Sequence, residues 1–404
     1  MYKNGKTMKL WNEYQLNKEI ESFTVGKDYI LDQKLVRYDC LGSIAHAKML
    51  NKIGVLKQAE AQKIVRELNK IIILNERGGF KILKEEEDCH TTIENHLIKK
   101  LGTLGKKIHT GRSRNDQVLT ALRLYYKDEL GRCKDLVQNL IIEINIFVKK
   151  YGKIRFPGYT HGRKAMPSSV GLWADSFIVS MADNLKLIDW AFDLVDQSPL
   201  GTGAGYGLPI KVDREYTAKL LGFKKIQKNP IYVQNSRGKF ESTILHALVQ
   251  IMVDLNKIAS DLIIFTMPEL GYFKMPETFC TGSSIMPQKR NPDVLELLRG
   301  KYYVVASYES QVENMIGNLL SGYNRDLQLM KEPLINGFEI TRESLSVAKL
   351  LIKNLKVDKR KCEQGLTEEI YATEQVYNLV KKGVPFREAY HKISKERAKK
   401  NSVS

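Results

Sequence analysis

Three short segments concentrate side chains able to bind anions or move protons. In Thr281-Gly-Ser-Ser-Ile-Met-Pro-Gln-Lys-Arg-Asn-Pro-Asp293, a glycine and two serines make a loop rich in hydroxyls and free backbone N–H groups. Lys289 adds a fixed positive charge and Asn291 an amide able to donate to an oxyanion. Such parts hold a carboxylate and stabilise the extra charge it gains when its α-proton leaves. Pro292 suits the first turn of a following helix. Composition alone equally fits an ordinary interhelical connection. In Pro157-Gly-Tyr-Thr-His161-Gly-Arg-Lys-Ala-Met-Pro167, a histidine between a threonine and a tight turn offers an imidazole suited to proton transfer. A lone histidine is more often structural. In Ile108-His109-Thr110-Gly111-Arg112-Ser113-Arg114-Asn115-Asp116-Gln117-Val118, two arginines flank a serine and make a dense anion site. Ser113, Asn115 and Asp116 also cap helices well, so the same run reads as a charged helix start.

The elements that must position these segments are helical. Apolar residues recur at three- and four-residue steps, and alternating strand patterns are scarce. Long helices are predicted over Gln117 to Tyr151, Ser169 to Asp196, Phe240 to Thr266, Pro292 to Leu319 and Asp326 to Leu355. In the third, Ile244, Leu245, Leu248, Ile251, Met252, Leu255 and Ile258 mark one buried face. Helices this long far exceed three turns and suit an extended bundle whose apolar stripes are covered by neighbours or other subunits. The predicted fold class is all-α. Segments rich in Gly, Ser and Pro, at His109 to Asp116, Pro157 to Pro167, Ser198 to Pro209, Asn229 to Gly238 and Thr281 to Pro292, are predicted loops. The predicted domains are an N-terminal helical part over 1–107, a central long-helix bundle over 108–355 and a short C-terminal helical part over 356–404.

Composition bounds the function. With 404 residues and 43% hydrophobic content, the chain is long enough for more than one compact unit. No run of about 18 apolar residues predicts a membrane span, and the polar, lysine-rich Met1 to Leu10 lacks the apolar core of a secretory signal. The 5 cysteines, Cys40, Cys89, Cys133, Cys280 and Cys362, are scattered without metal-ligand spacing, which predicts free thiols in the cytoplasm. A net charge of +18 admits nucleic acid, anionic membranes or anionic substrates. The lysines are spread along the chain without an aromatic ladder, so no nucleic-acid partner is expected. The glycine-rich Ser198-Pro-Leu-Gly-Thr-Gly-Ala-Gly-Tyr-Gly-Leu-Pro209 looks loosely like a nucleotide loop, but no strand precedes it and no Gly-Lys-Ser/Thr follows.

The strings narrow the reading further. Gly282-Ser283-Ser284-Ile-Met286-Pro287, with Lys289, Asn291, Pro292 and Glu296 after it, resembles the signature of the fumarase/aspartase superfamily. The resemblance implies anti elimination from succinyl compounds, releasing fumarate, with neither metal nor organic cofactor. It makes Ser283 the catalytic serine and gives Lys289 and Asn291 the succinyl carboxylates. Gly-Tyr-Thr-His161 and Pro167 resemble the same superfamily's histidine segment, which implies that Glu296 partners His161 and that Thr160 binds a substrate carboxylate. Many relatives carry Leu-Gln after the histidine and Gln before the proline, where this chain has Gly162, Arg163 and Met166.

Gly111-Arg112-Ser113-Arg114-Asn115-Asp116-Gln117 closely resembles the argininosuccinate lyase family, implying that Ser113, Arg114 and Asn115 contact the succinyl part of the substrate. Glu87-Asp-Cys-His90-Thr-Thr-Ile-Glu94 and Tyr323-Asn-Arg-Asp-Leu-Gln328-Leu-Met-Lys331-Glu-Pro333 resemble further segments of it. The latter implies that Tyr323, Gln328 and Lys331 hold the arginine end; Gln328 and Lys331 are an i, i+3 pair that can face one site. Lys9-Leu10-Trp11 resembles the family's opening, so Lys9 joins the implied substrate contacts, although Asn12-Glu13-Tyr14-Gln15 replaces the usual Gly-Gly-Arg-Phe. Gly26 stands where many relatives place a substrate-binding serine.

The family implies splitting of argininosuccinate to arginine and fumarate, the final step of arginine biosynthesis, in a homotetramer whose active sites are shared between subunits. Ser283 is assigned as the base and His161 as the acid, and the reverse assignment stays open. Adenylosuccinate lyase-like elimination, a non-catalytic crystallin-like relative and a basic nucleic-acid binder are the alternatives.

Overall fold

Five long helices organise the chain in the computed structural model, which describes residues 17–401. They are Arg114–Tyr151, Val170–Val195, Lys239–Phe265, Asp293–Met315 and Lys331–Asn354. The architecture is all-α at the level of these elements, in line with the periodicity. Ile244, Leu245, Leu248, Ile251, Met252, Leu255 and Ile258 are all buried, forming the single apolar face read from their spacing. The last helix is preceded by a 3₁₀ segment, Arg325–Met330, where a continuous α-helix is predicted.

The described residues fall into two compact units. The first draws on the described residues up to Cys133, on Leu187–Leu248 and on Val305–Glu339, the second on Lys134–Lys186, on Val249–Val304 and on the described residues from Ile340 onward. In the first, helices Val36–Lys52 and Gln58–Glu76 pack together and bury Leu50, Ile64, Leu68 and Ile71. Tyr38, Tyr125, Tyr126 and Phe338 add edge-on and tilted aromatic contacts, with Tyr38 and Tyr125 centred 5.6 Å apart. In the second, Phe147, Phe156, Trp173, Phe265, Tyr272 and Phe273 form an aromatic core in which Trp173 and Phe273 stand 5.1 Å apart. The Trp173 indole N–H donates to Asp261 at 2.8 Å, satisfying its polar end.

Three predicted loops carry more structure than their composition suggests. Pro157 to Pro167 lies in an antiparallel hairpin of Arg155–Thr160 and Arg163–Ser169. The prolines are tolerated because a two-stranded ribbon is all edge, and Pro157 sits opposite Pro167 next to an irregularity in register. Asn229 to Gly238 contains a short helix, Pro230–Asn235, whose N-cap Asn229 accepts from the Tyr232 N–H. Thr281 to Pro292 is pinched shut by a two-residue antiparallel pair, Thr281–Gly282 with Arg290–Asn291. The five cysteines are free thiols, and among the described residues no helix is long and apolar enough to cross a membrane.

Candidate active site

In the first unit, residues distant in sequence converge on one cavity of about 90 Å³. Its start is the end of the Arg114–Tyr151 helix. Ser113 is the N-cap: its Oγ accepts from the Asn115 N–H at 3.3 Å, while Asp116 Oδ1 accepts from the Ser113 N–H at 3.0 Å. This reciprocal capping fixes the helix's first turn. Asp116 Oδ2 also accepts from the N–H groups of Gly201 and Gly203, each at 2.9 Å, tying the glycine-rich turn to the same point. Burial pushes the Asp116 carboxyl up to about 6 despite those three donors. Arg114 and Asn115 then line the cavity, together with Tyr323, Gln328 and Lys331 from the other end of the chain.

Ion pairs shape the cavity wall. Arg114 binds Asp88, donates to Thr91 Oγ1 at 2.7 Å and lies 3.8 Å from Glu87. Arg325 pairs with Glu87 at 2.7 Å. Lys331 is buried, with its Nζ 2.7 Å from Asp32 and 3.0 Å from Asp28. Burial opposes the Lys331 charge, but those two carboxylates more than offset it and raise the ammonium above its ordinary range. Burial would likewise raise Asp88, yet His90 and Arg114 hold it below the usual carboxylate value. Gln328 belongs to the 3₁₀ segment and Lys331 opens the helix after it. In 3₁₀ geometry residues three apart eclipse, so both reach the same cavity, as their spacing anticipates.

The second unit holds two further groups. Thr160 and His161 sit at the tip of the hairpin, both exposed. His161 and Gly162 have φ of 54° and 68° and join the paired residues Thr160 and Arg163. Two successive positive φ values are the signature of a type I′ turn, which matches the twist of the strands and needs glycine at one central position. The hairpin is held by the Tyr159 and Tyr272 hydroxyls, 2.8 Å apart. On the serine loop, Ser283 Oγ accepts from the N–H groups of Ile285 at 3.3 Å and Met286 at 3.1 Å. Lys289 is exposed, Asn291 half-buried in the closing pair, and Glu296 exposed in the first turn of Asp293–Met315.

The structure therefore brings together Arg114, Asn115, Tyr323, Gln328 and Lys331, with Ser113 capping beside them. Among the described residues, no hydrogen bond or ion pair of one chain joins His161 to Glu296 or to Ser283. Lys9 lies outside the described residues. Asp28, Glu87, Asp88, Arg237 and Arg325 line the cavity without having been assigned a role from sequence; Glu87, Asp88 and Arg325 stand inside the family-like strings, whereas Asp28 and Arg237 stand in none. Asp32, Cys89 and His90 also cluster with ligand atoms within 4.8 Å. Asp32 already faces the Lys331 ammonium, and the His90 ring lies 3.1 Å from Asp39, so a metal ion there would compete with a fixed cation.

Comparison with known proteins bears on the family and the fold. Residues 5–306 match the family model described as Lyase. The argininosuccinate lyase of Thermotoga neapolitana is 53% identical over 96% of this chain and 98% of its own length. That of Sorangium cellulosum is 41% identical over 96% and 91%, and that of Bacteroides thetaiotaomicron 39% identical over 95% and 86%. Among solved structures, an EDDS lyase variant with bound fumarate superposes with a TM-score of 0.80 at 20% identity, covering 93% of this chain and 74% of that one. Class II fumarase from Schistosoma mansoni gives 0.77 at 16% identity over 96% and 93%, a likeness of fold.

Proposed function

The chain belongs to the argininosuccinate lyase family, and from that premise we infer that it splits argininosuccinate into L-arginine and fumarate. It is a carbon–nitrogen lyase acting on a small anionic substrate, in the last step of arginine biosynthesis. The near full-length likeness to argininosuccinate lyases carries this reading; the charged cavity and the serine loop supply it with chemistry.

In the mechanism, Ser283 Oγ removes the succinyl Cβ proton. The electron pair passes onto the adjacent carboxylate, which becomes a doubly charged aci-carboxylate. Lys289 and Asn291 donate to that group and lower the barrier to forming it. The two N–H groups aimed at Ser283 Oγ favour its anionic form, which a serine needs to act as a base. The C–N bond then breaks, its electrons leaving on nitrogen as neutral guanidine. His161 delivers the proton that restores guanidinium, and Glu296 stabilises the cationic ring. Ser113, Arg114, Asn115 and Thr160 engage the succinyl part, and Tyr323, Gln328, Lys331 and Lys9 complete the contacts. The opposite assignment would make His161 the group that abstracts the proton and Ser283 the group that serves the departing nitrogen.

Among the described residues, no hydrogen bond or ion pair of one chain joins His161 to Glu296 or to Ser283, which fits a site shared among the subunits of a homotetramer. Exposed apolar residues on the long helices support the same assembly. Ile142 and Ile146 are 57% and 52% exposed, and Leu172 and Val179 68% and 59%, at four- and seven-residue steps that form stripes. The free thiols favour a cytoplasmic setting.

The test is fumarate release, followed in the ultraviolet, with argininosuccinate and with adenylosuccinate. Release from argininosuccinate alone is expected. Release from adenylosuccinate alone, or from neither, overturns the reading.

A further inference from the structure

The turn that presents His161 also sorts its neighbours onto two faces. Thr160 and Arg163 close the turn as directly opposed partners, which puts their Cβ atoms about 5 Å apart on one side of the ribbon. Tyr159 and Lys164 are the next opposed pair. Successive residues of a strand project to opposite sides, so this pair faces the other way. That second face is turned to the body of the unit: the Tyr159 hydroxyl lies 2.8 Å from that of Tyr272, and the Lys164 Nζ donates to Thr367 Oγ1 at 3.5 Å. The Thr160 face is the free one, and Thr160 and Arg163 are both exposed. Among the described residues, no carboxylate forms an ion pair with the Arg163 guanidinium and no acceptor takes a hydrogen bond from it. Where many relatives carry a glutamine, this chain therefore presents an unmatched cation beside the threonine to which a substrate carboxylate is assigned.

The succinyl half of the substrate carries two carboxylates. Lys289 and Asn291 serve the one that becomes the aci-form, and at the hairpin Thr160 offers the other a single neutral hydroxyl. A carboxylate has about four lone-pair sites, so one hydroxyl leaves room for a two-pronged partner. Glutamine would fill that room with a neutral amide; arginine fills it with a planar fork of donors and a full charge. We propose that Arg163 binds the succinyl carboxylate engaged by Thr160, a substrate contact this chain makes with a guanidinium in place of an amide. The proposal rests on the lyase reading above and deepens it. That carboxylate keeps its charge from substrate to fumarate, so the contact is equally strong in the ground state and the transition state. Such uniform binding acts on KM and on product affinity and leaves kcat almost unchanged.

Fumarate and fumaramate, its monoamide, isolate the contact: Lys289 takes the one carboxylate the monoamide keeps, and Arg163 is left with a neutral group. Calorimetric titration of the full-length protein should give fumarate an affinity about 10-fold above fumaramate. Arg163→Gln should bring fumarate down to the level of fumaramate and leave fumaramate unchanged. It should also raise KM for argininosuccinate by a similar factor, with kcat within about 2-fold of the parent. Arg163→Lys, which keeps the charge and loses the fork, should retain part of the preference. Lys164→Gln, on the opposite face, should leave both ligands as in the parent. Equal binding of the two ligands by the unsubstituted protein overturns the proposal. So does an Arg163→Gln variant that weakens both alike, or that lowers kcat at unchanged KM, since those are the marks of a role in holding the hairpin. Fumarate release is measured alongside. Ligand preference that is lost on Arg163→Gln, in a protein that releases no fumarate from argininosuccinate, counts against the lyase reading alone. Fumarate release with a preference that Arg163→Gln does not alter counts against the Arg163 assignment alone.

Discussion

A serine acts as a base only if its oxygen is stabilised as an anion, and two backbone N–H groups donate to Ser283 Oγ, as the proposed role requires. Ser283→Ala should therefore bind argininosuccinate with little change while kcat falls by about 10²- to 10⁴-fold; single-turnover fumarate release measures it, and near-normal turnover removes Ser283 from the mechanism. His161→Asn should be similarly slow and should lose the limb of the pH–rate profile that reports the imidazole. Asp28 gives a second, independent pH dependence. Its carboxyl moves from an ordinary 3.8 to about 6 on folding, so the folded state holds the proton more tightly. Stability attributable to Asp28 is complete below the lower value and declines as pH rises to the upper one, by at most about 3 kcal/mol. Denaturant melts of Asp28→Asn against the parent, from acid to neutral pH, should show a flatter slope across that window. At this scale the sequence exposes residues that sit in recognisable strings, such as Ser283 and Arg114. Arg237 and Asp28 are silent because their significance arises from neighbours that only folding supplies, Tyr323 in one case and Lys331 in the other.

Elements place those residues by local rules. The capping of the Arg114–Tyr151 helix by Ser113 and Asp116 is readable from residue types alone, and Ser113→Ala should cost about 1 kcal/mol in thermal or chemical melts. The hairpin is less readable: glycine, proline and charged residues replace the alternation that marks a strand, and His161-Gly162 stands where Asn-Gly is the familiar signal. Two of the departures from many relatives have a conformational account. Gly26 ends the Lys18–Val25 helix with φ 55°, and Gly162 turns the hairpin with φ 68°. At both, a side chain would be forced into a left-handed backbone. Gly162→Ala should cost about 1–2 kcal/mol and lower kcat more than it raises KM, because it disturbs the turn that presents His161. Gly365→Ala tests the hairpin's support: a Cβ there would lie 2.7 Å from the Tyr272 hydroxyl and 3.1 Å from the Pro157 ring. A loss of kcat rescued by pairing it with Tyr272→Phe would tie hairpin position to rate.

For the whole molecule, the long helices announce their own incompleteness. The sequence predicts stripes needing cover, and Leu172, Val179, Ile142 and Ile146 are such stripes, exposed on an isolated chain. Which residues would meet across subunits in the proposed assembly is not written in any one chain's pattern, since the motifs are contiguous strings and the proposed site draws on several. Val179→Lys should shift the protein toward smaller species in sedimentation and cut activity in proportion. The sharing of sites is tested most directly by mixing two inactive variants, Ser283→Ala and His161→Asn, after mild dissociation and reassembly. Mixed tetramers contain some sites with both intact groups, so fumarate release from argininosuccinate should reappear well above either variant alone. Confirmed mixed tetramers that stay as inactive as the separate variants would contradict the account.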